Sequence, residues 1–185
     1  MLRSLQLSKQ LAIHIHALSS FENAMQRFDF PVQARSLTSL IPGNEFHCVR
    51  QFTAEDVETF LKITGDANLI HTNSAAAIAA GLQAPILPGI MLASLFPAII
   101  GTNFPGAIYL SQTLKFRQPA TVESWVRATV RLEKLSGSRA SFATECVLLP
   151  TPTPNKDKVG TPQDESTTTV LLEGQALALL KDINS

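Results

Sequence analysis

Apolar and polar residues alternate most regularly over residues 126–133, where Val126, Ala128, Val130 and Leu132 interleave with Arg127, Thr129, Arg131 and Glu133. A period of two marks a strand with one face buried. Residues 107–116, 140–149 and 170–180 read as strands too, and the Ser, Gly and Pro signals between them favour antiparallel neighbours. An earlier strand is predicted over residues 45–52. The period then changes. Thr53 offers an N-cap hydroxyl with Asp56 three places on, and Val57, Phe60, Leu61 and Thr64 follow at helical spacing up to Gly65. Asn73 can cap a second short helix over 74–80, which Gly81 stops before the turn at Pro85. Residues 90–101 are apolar on nearly every side, which predicts a helix buried all round. Pro97 inside that run removes a backbone donor and should kink or loosen it.

Strand, two short helices, a buried helix and then four strands describe a single α+β domain. An antiparallel sheet wraps around the central helix in the hot-dog arrangement. One sheet cannot cover such a helix completely. A second copy joined edge to edge would complete the cover, so a homodimer is expected.

Residues 1–40 show no strand alternation and end at the turn signal Ile41-Pro42-Gly43. The first twenty carry Arg3 and Lys9, several serines and no acid before Glu22, with Leu7, Leu11, Ile15 and Leu18 on one helical stripe. That composition reads as an amphipathic mitochondrial presequence, with an ordinary amphipathic helix docked on the domain as the alternative. The expected division is therefore a leader at 1–40 and the domain at 41–185. Residues 150–169, rich in Pro, Thr, Lys and Asp, are expected to form a disordered hairpin insertion within it.

Fifteen basic and fifteen acidic residues give a net charge of zero without a basic run, which argues against nucleic acid as a partner. No window approaches the ~20 apolar residues of a membrane span. Cys48 and Cys146 belong to no CxxC pair and read as reduced, buried thiols. His14 and His16 are too isolated to suggest a metal site, so none is expected.

The densest polar cluster is Gly65-Asp66-Ala67-Asn68-Leu69-Ile70-His71, a loop between the two short helices. A carboxylate and an imidazole on a bent segment can converge on one water molecule, each handling one of its protons. Asn68 can fix the loop or the carboxylate. Taken alone, the string also reads as a turn that Asp66 caps, with His71 as a satisfied core histidine.

Beyond the loop, the chain resembles the MaoC-like (R)-specific enoyl-CoA hydratases and the related mitochondrial 3-hydroxyacyl-thioester dehydratases, over roughly residues 52–116 and more loosely to 180. Their Gly-Asp-x-Asn-Pro-hydrophobic-His segment is matched at Gly65, Asp66, Asn68 and His71. Gly89-Ile90-Met91-Leu92-Ala93-Ser94-Leu95-Phe96 looks like the start of their central helix, and Phe104-Pro105-Gly106-Ala107-Ile108-Tyr109-Leu110-Ser111-Gln112 like the strand after it. Two positions depart from the pattern. Leu69 stands where the family usually has proline, and Pro88 where many members have histidine.

The resemblance implies Asp66 and His71 as a catalytic dyad for reversible syn addition of water across C2 and C3 of an acyl thioester, with the R configuration at C3. It implies substrate contacts at Gly89, Asn68 and Ser94. The Gly89 amide would meet the thioester carbonyl, where a helix N-terminus suits a developing enolate oxygen and a side chain would block close approach. No metal or other cofactor is required. The substrate rides on acyl carrier protein, for fatty-acid synthesis in the mitochondrial matrix, or on coenzyme A, for degradation. Two alternatives share the fold, a thioesterase and a non-catalytic acyl-binding module.

Overall fold

In a computed structural model of the protein, residues 39–150 and 169–181 are described. All but residues 39–40 of the leader expected at 1–40, and all but residues 150 and 169 of the insertion expected at 150–169, lie outside the described residues, so those two readings are not addressed by the fold.

The domain opens with β1 (Glu45–Gln51), after a turn at residues 41–44 that the Asn44 side chain closes by accepting from the Ile41 amide at 3.0 Å. Helix α1 (Ala54–Thr64) starts on a reciprocal cap. The Thr53 hydroxyl accepts from the Asp56 amide at 3.2 Å, and the Asp56 carboxylate accepts from the Thr53 amide at 2.9 Å. It ends at Gly65 with φ of 72°, a left-handed conformation that glycine adopts without strain. A single 3-10 turn (Leu69–His71) and the short α2 (Ser74–Ala79, capped by Asn73) follow.

The central helix is broken in two, α3 (Gly89–Ala93) and α4 (Leu95–Asn103), with Ser94 at the joint. Pro97 has no N–H to give to the Ala93 carbonyl, and its ring crowds that carbonyl. The Ser94 hydroxyl also donates to the Met91 carbonyl at 2.6 Å, a back-bond that bends helices. The two effects together place the break one turn before the proline.

Four strands complete the sheet, β2 (Ile108–Phe116), β3 (Trp125–Ser136), β4 (Arg139–Leu148) and β5 (Val170–Leu179). All neighbours are antiparallel, in the order β1-β3-β4-β5-β2. Helix α4 packs on β1 and β3, where Phe96, Ile99 and Ile100 meet Phe46, Cys48, Val126, Ala128 and Val130 in one continuous core. The alternating residues of β3 divide as the sequence predicts, with all four apolar members fully buried. The sheet has one face against the helix and one toward solvent. Strand β2 forms an edge. It leaves Ile108, Leu110 and Phe116 half exposed, the kind of apolar sheet edge that invites another chain.

Candidate active site

The segment between α1 and α2 folds on its own polar groups. With the chain turned by Gly65, the Asp66 carboxylate reaches forward and its Oδ1 accepts from the Asn68 amide at 2.9 Å. Asn68 then caps the 3-10 turn, its side-chain oxygen accepting from the Ile70 amide at 3.3 Å. The backbone of Asn68 therefore holds the carboxylate, and its side chain holds the loop.

His71 is the buried member, 8% exposed. Its Nδ1 lies 2.8 Å from the Ile86 carbonyl. A carbonyl only accepts, so Nδ1 carries the hydrogen and Nε2 of the neutral ring presents its lone pair. The main chain reinforces this link, because the Ile86 amide donates to the Ile70 carbonyl at 3.2 Å. Segment 86–87 is itself fixed by a bridge between Ile86 and Thr121 and by the Leu87 amide donating to the Ala120 carbonyl at 2.8 Å.

His71 Nε2 faces Asp66 Oδ2 at 3.7 Å, and the Asp66 side chain is 39% exposed. That distance is too long for a hydrogen bond and short enough for one water to reach both atoms. Two acceptors set face to face are satisfied by a shared donor of two hydrogens. The arrangement can position a water molecule and take up its proton.

Gly89 is the first residue of α3, three residues past Ile86. It borders a cavity of about 400 Å³ whose other walls include Leu87, Leu92, Phe116, Ala120 and Leu171. His71 opens instead on a neighbouring cleft of about 330 Å³ edged by Glu58, Thr72, Pro85, Thr121 and Glu123. The two openings lie along the same backbone segment. Asp66, Asn68 and His71 are thus brought together, with Gly89 near them in the chain but facing a different hollow. Ser94 lines neither, and its hydroxyl is spent on Met91.

Sequence reasoning missed Ile86 and Phe116. Ile86 supplies a carbonyl, which no side-chain pattern reveals. Phe116 carried a signal in its place, a large aromatic closing a strand directly before Arg117.

A family model described as the MaoC like domain matches residues 41–151. A mitochondrial 3-hydroxyacyl-[acyl-carrier-protein] dehydratase of Solanum lycopersicum is 35% identical over 122 residues, 64% of this chain and 74% of that one. An (R)-specific enoyl-CoA hydratase of Aeromonas caviae is 35% identical over 102 residues, covering 54% and 76%. Among solved structures, the (R)-hydratase from A. caviae superposes with a TM-score of 0.65 at 26% identity, over 77% of this chain and 98% of that one. A protein from Archaeoglobus fulgidus superposes at 0.67 with 18% identity, a likeness of fold.

Proposed function

The chain belongs to the MaoC-like domain family, and on that premise we propose that it is a hydro-lyase that interconverts (3R)-hydroxyacyl and trans-2-enoyl thioesters, with Asp66 and His71 as its acid–base pair. The observation that carries the assignment is the fixed tautomer of His71, whose Nδ1–H is committed to the Ile86 carbonyl while Nε2 faces the Asp66 carboxylate at 3.7 Å.

In hydration, a water donates one hydrogen to each of those acceptors, which aims its lone pair at C3. As the oxygen–C3 bond forms, Asp66 takes one of the hydrogens. Electron density moves from the double bond toward the thioester carbonyl, which the Gly89 amide receives, and the dyad returns a proton to C2. Water is consumed and no net proton is released. Dehydration runs through the same steps reversed. No step of this route uses a metal or a redox cofactor. Asn68 acts by fixing the Asp66 carboxylate. Ser94, at the joint between α3 and α4 with its hydroxyl on the Met91 carbonyl, acts by orienting α3 rather than by touching the substrate.

The carrier is acyl carrier protein and the compartment the mitochondrial matrix, in our reading. It is supported by the presequence-like leader and by relatives from Solanum lycopersicum and Arabidopsis thaliana, both named as mitochondrial 3-hydroxyacyl-[acyl-carrier-protein] dehydratases. The working unit is a homodimer joined at the β2 edges, supported by the half-exposed Ile108, Leu110 and Phe116 on that strand.

Initial rates of the purified protein on matched 3-hydroxyacyl and trans-2-enoyl substrates, each carried on acyl carrier protein and on coenzyme A, test the proposal. Reversible water exchange at C3 is expected, faster on acyl carrier protein. Thiol release without hydration would identify a thioesterase, and neither activity would leave an acyl-binding module.

A further inference from the structure

We propose that the turn at residues 121–124 is a clamp that sets the distance between Asp66 and His71, and that Gln51, which ties down its apex, is a positioning residue for the reaction. The inference rests on the hydratase reading above and goes on to name what holds its two acid–base groups in place.

The apex of the turn is strained. Glu123 has φ of 68°, the only positive φ outside glycine among the described residues. The Ser124 amide closes the turn on the Thr121 carbonyl at 3.2 Å, and the hydroxyls of Thr121 and Ser124 meet at 2.9 Å. Glu123 is thus the third residue of the turn, where a positive φ ordinarily calls for glycine or asparagine. A β-carbon in that conformation crowds its own backbone and persists only where the surroundings over-determine it. Two bonds do so here. The Glu123 amide donates at 3.0 Å to the carbonyl of Phe52, a core residue, and Gln51 donates from Nε2 to the Glu123 carbonyl at 2.7 Å.

Both arms of the site meet at this turn. On one side the Val122 amide donates to the Pro85 carbonyl at 3.0 Å and the Ala120 carbonyl accepts from the Leu87 amide at 2.8 Å. Residues 120–122 therefore hold the Ile86 carbonyl in line for His71 Nδ1. On the other side Gln51 and Phe52 lead through the Thr53 cap into α1, which ends at Gly65, just before Asp66. Ala54, Glu123 and His71 edge one cleft, so the base of α1, the apex and the imidazole lie side by side. Relaxation of the apex would shift segment 85–87 against α1 and change the 3.7 Å separation of the pair. A misplacement of about 1 Å in such a pair can cost ~10²-fold in rate.

The test uses the full chain carrying Gln51→Ala, alone and combined with Glu123→Gly, Glu123→Asn or Glu123→Ala. Gln51→Ala is expected to lower kcat on a four-carbon enoyl thioester about tenfold while KM stays within about twofold, since the geometry of the pair changes and the binding surface does not. Gly and Asn accept the left-handed conformation without the Gln51 tie, so those two double variants should recover most of the loss and the Ala one should not. All three lack the carboxylate, so that order reports the backbone and not the charge. Long-range proton–nitrogen correlation spectra follow His71 independently of turnover. One tautomer, with the hydrogen on Nδ1, is expected in the wild type, a mixture in Gln51→Ala, and one again in the glycine rescue. Gln51→Met, of similar length without the donor, carries the test if the Ala variant does not fold. Unchanged turnover in the Gln51 variant overturns the proposal, as do three double variants that behave alike or His71 signals that do not move. If the wild type turns over no enoyl thioester, the hydratase reading falls, while the His71 signals still decide whether the clamp holds the ring.

Discussion

The His71 imidazole is held by a backbone carbonyl fifteen residues away, with Nδ1 2.8 Å from Ile86 O, and this contact leaves Nε2 facing Asp66. A histidine oriented in this way can accept a proton only at Nε2. Asp66→Asn preserves the acceptor oxygen that the Asn68 amide uses, so the loop should keep its shape while losing the base. Asp66→Asn and His71→Ala are each expected to lose at least the ~10²–10⁴-fold that a positioned acid–base group supplies. The double variant should be hardly slower than the poorer single one, because the pair acts as a unit. Steady-state rates on a four-carbon substrate check this, and multiplicative losses would assign the residues to separate steps.

Leu69 occupies the first position of the 3-10 turn with its amide free of any hydrogen bond among the described residues. Asn68 before it has φ of −71° and ψ of 113°, an extended conformation that is allowed ahead of proline. Leu69 is also 59% exposed, so little packing is lost by replacing it. Leu69→Pro should therefore stabilise the protein by ~0.4–1 kcal/mol, by limiting the unfolded chain, and leave turnover unchanged. Urea unfolding measures the first and initial rates the second.

The legibility of this chain followed the range of the interaction involved. The β3 alternation, the Thr53–Asp56 cap and the Gly65 stop are local, and each appears where the sequence puts it. The polar loop was legible for the same reason, since Asp66, Asn68 and His71 are close in the chain, with Asp66 accepting from the Asn68 amide and Asn68 from the Ile70 amide. The central helix was expected to be kinked at Pro97 but not to break at Ser94, because the outcome depends on a hydroxyl choosing the Met91 carbonyl. Ile86 and Phe116 went unread because their roles arise from tertiary placement. One depends on the bridge to Thr121 and the other on β2 ending beside α3.

Strands β4 and β5 stay paired at their connected ends, where the Leu148 amide donates to the Thr169 carbonyl at 2.9 Å. The ends of that hairpin are thus already in register. Replacing residues 150–167 by Asn-Gly should keep both fold and activity, as closure cost varies slowly with loop length and Asn-Gly suits a two-residue turn. Soluble yield and turnover are the readouts. Loss of soluble protein would show that the segment packs on the domain.

The two thiols are silent by burial. Desolvation raises Cys48 to about 11, against smaller lowering effects of the Ala128 backbone and Arg50. Burial raises Cys146 to about 12, with Cys48 and Glu145 adding to it. Neither should react with an aromatic disulfide reagent at pH 8 until the protein is unfolded. A folded-state value above the unfolded one contributes stability that is complete below about pH 9, the unfolded thiol value, and is lost as pH rises toward 11–12. Unfolding midpoints should fall over that alkaline window. Rapid labelling of the native protein at pH 8 would contradict the burial.

The strongest chemical consequence is stereochemical. Asp66 and His71 project from one loop, and the segment that holds His71 leads within three residues to Gly89; the proposed route requires all three groups to meet a bound acyl chain from a single side. With the carbonyl oxygen on the Gly89 amide, rotation about the bond to C2 is restricted and one face of the double bond is turned to the shared water. The hydroxyl added at C3 and the proton added at C2 then arrive on that same face, which is syn addition and gives one enantiomer. The R product is the expectation, by likeness to the (R)-specific hydratase relatives. Hydrating a trans-2-enoyl thioester in deuterated water and resolving the product reads both centres at once. An S alcohol or a racemate would reject the facial assignment, and deuterium placed anti to the new hydroxyl would reject delivery of both groups from one loop.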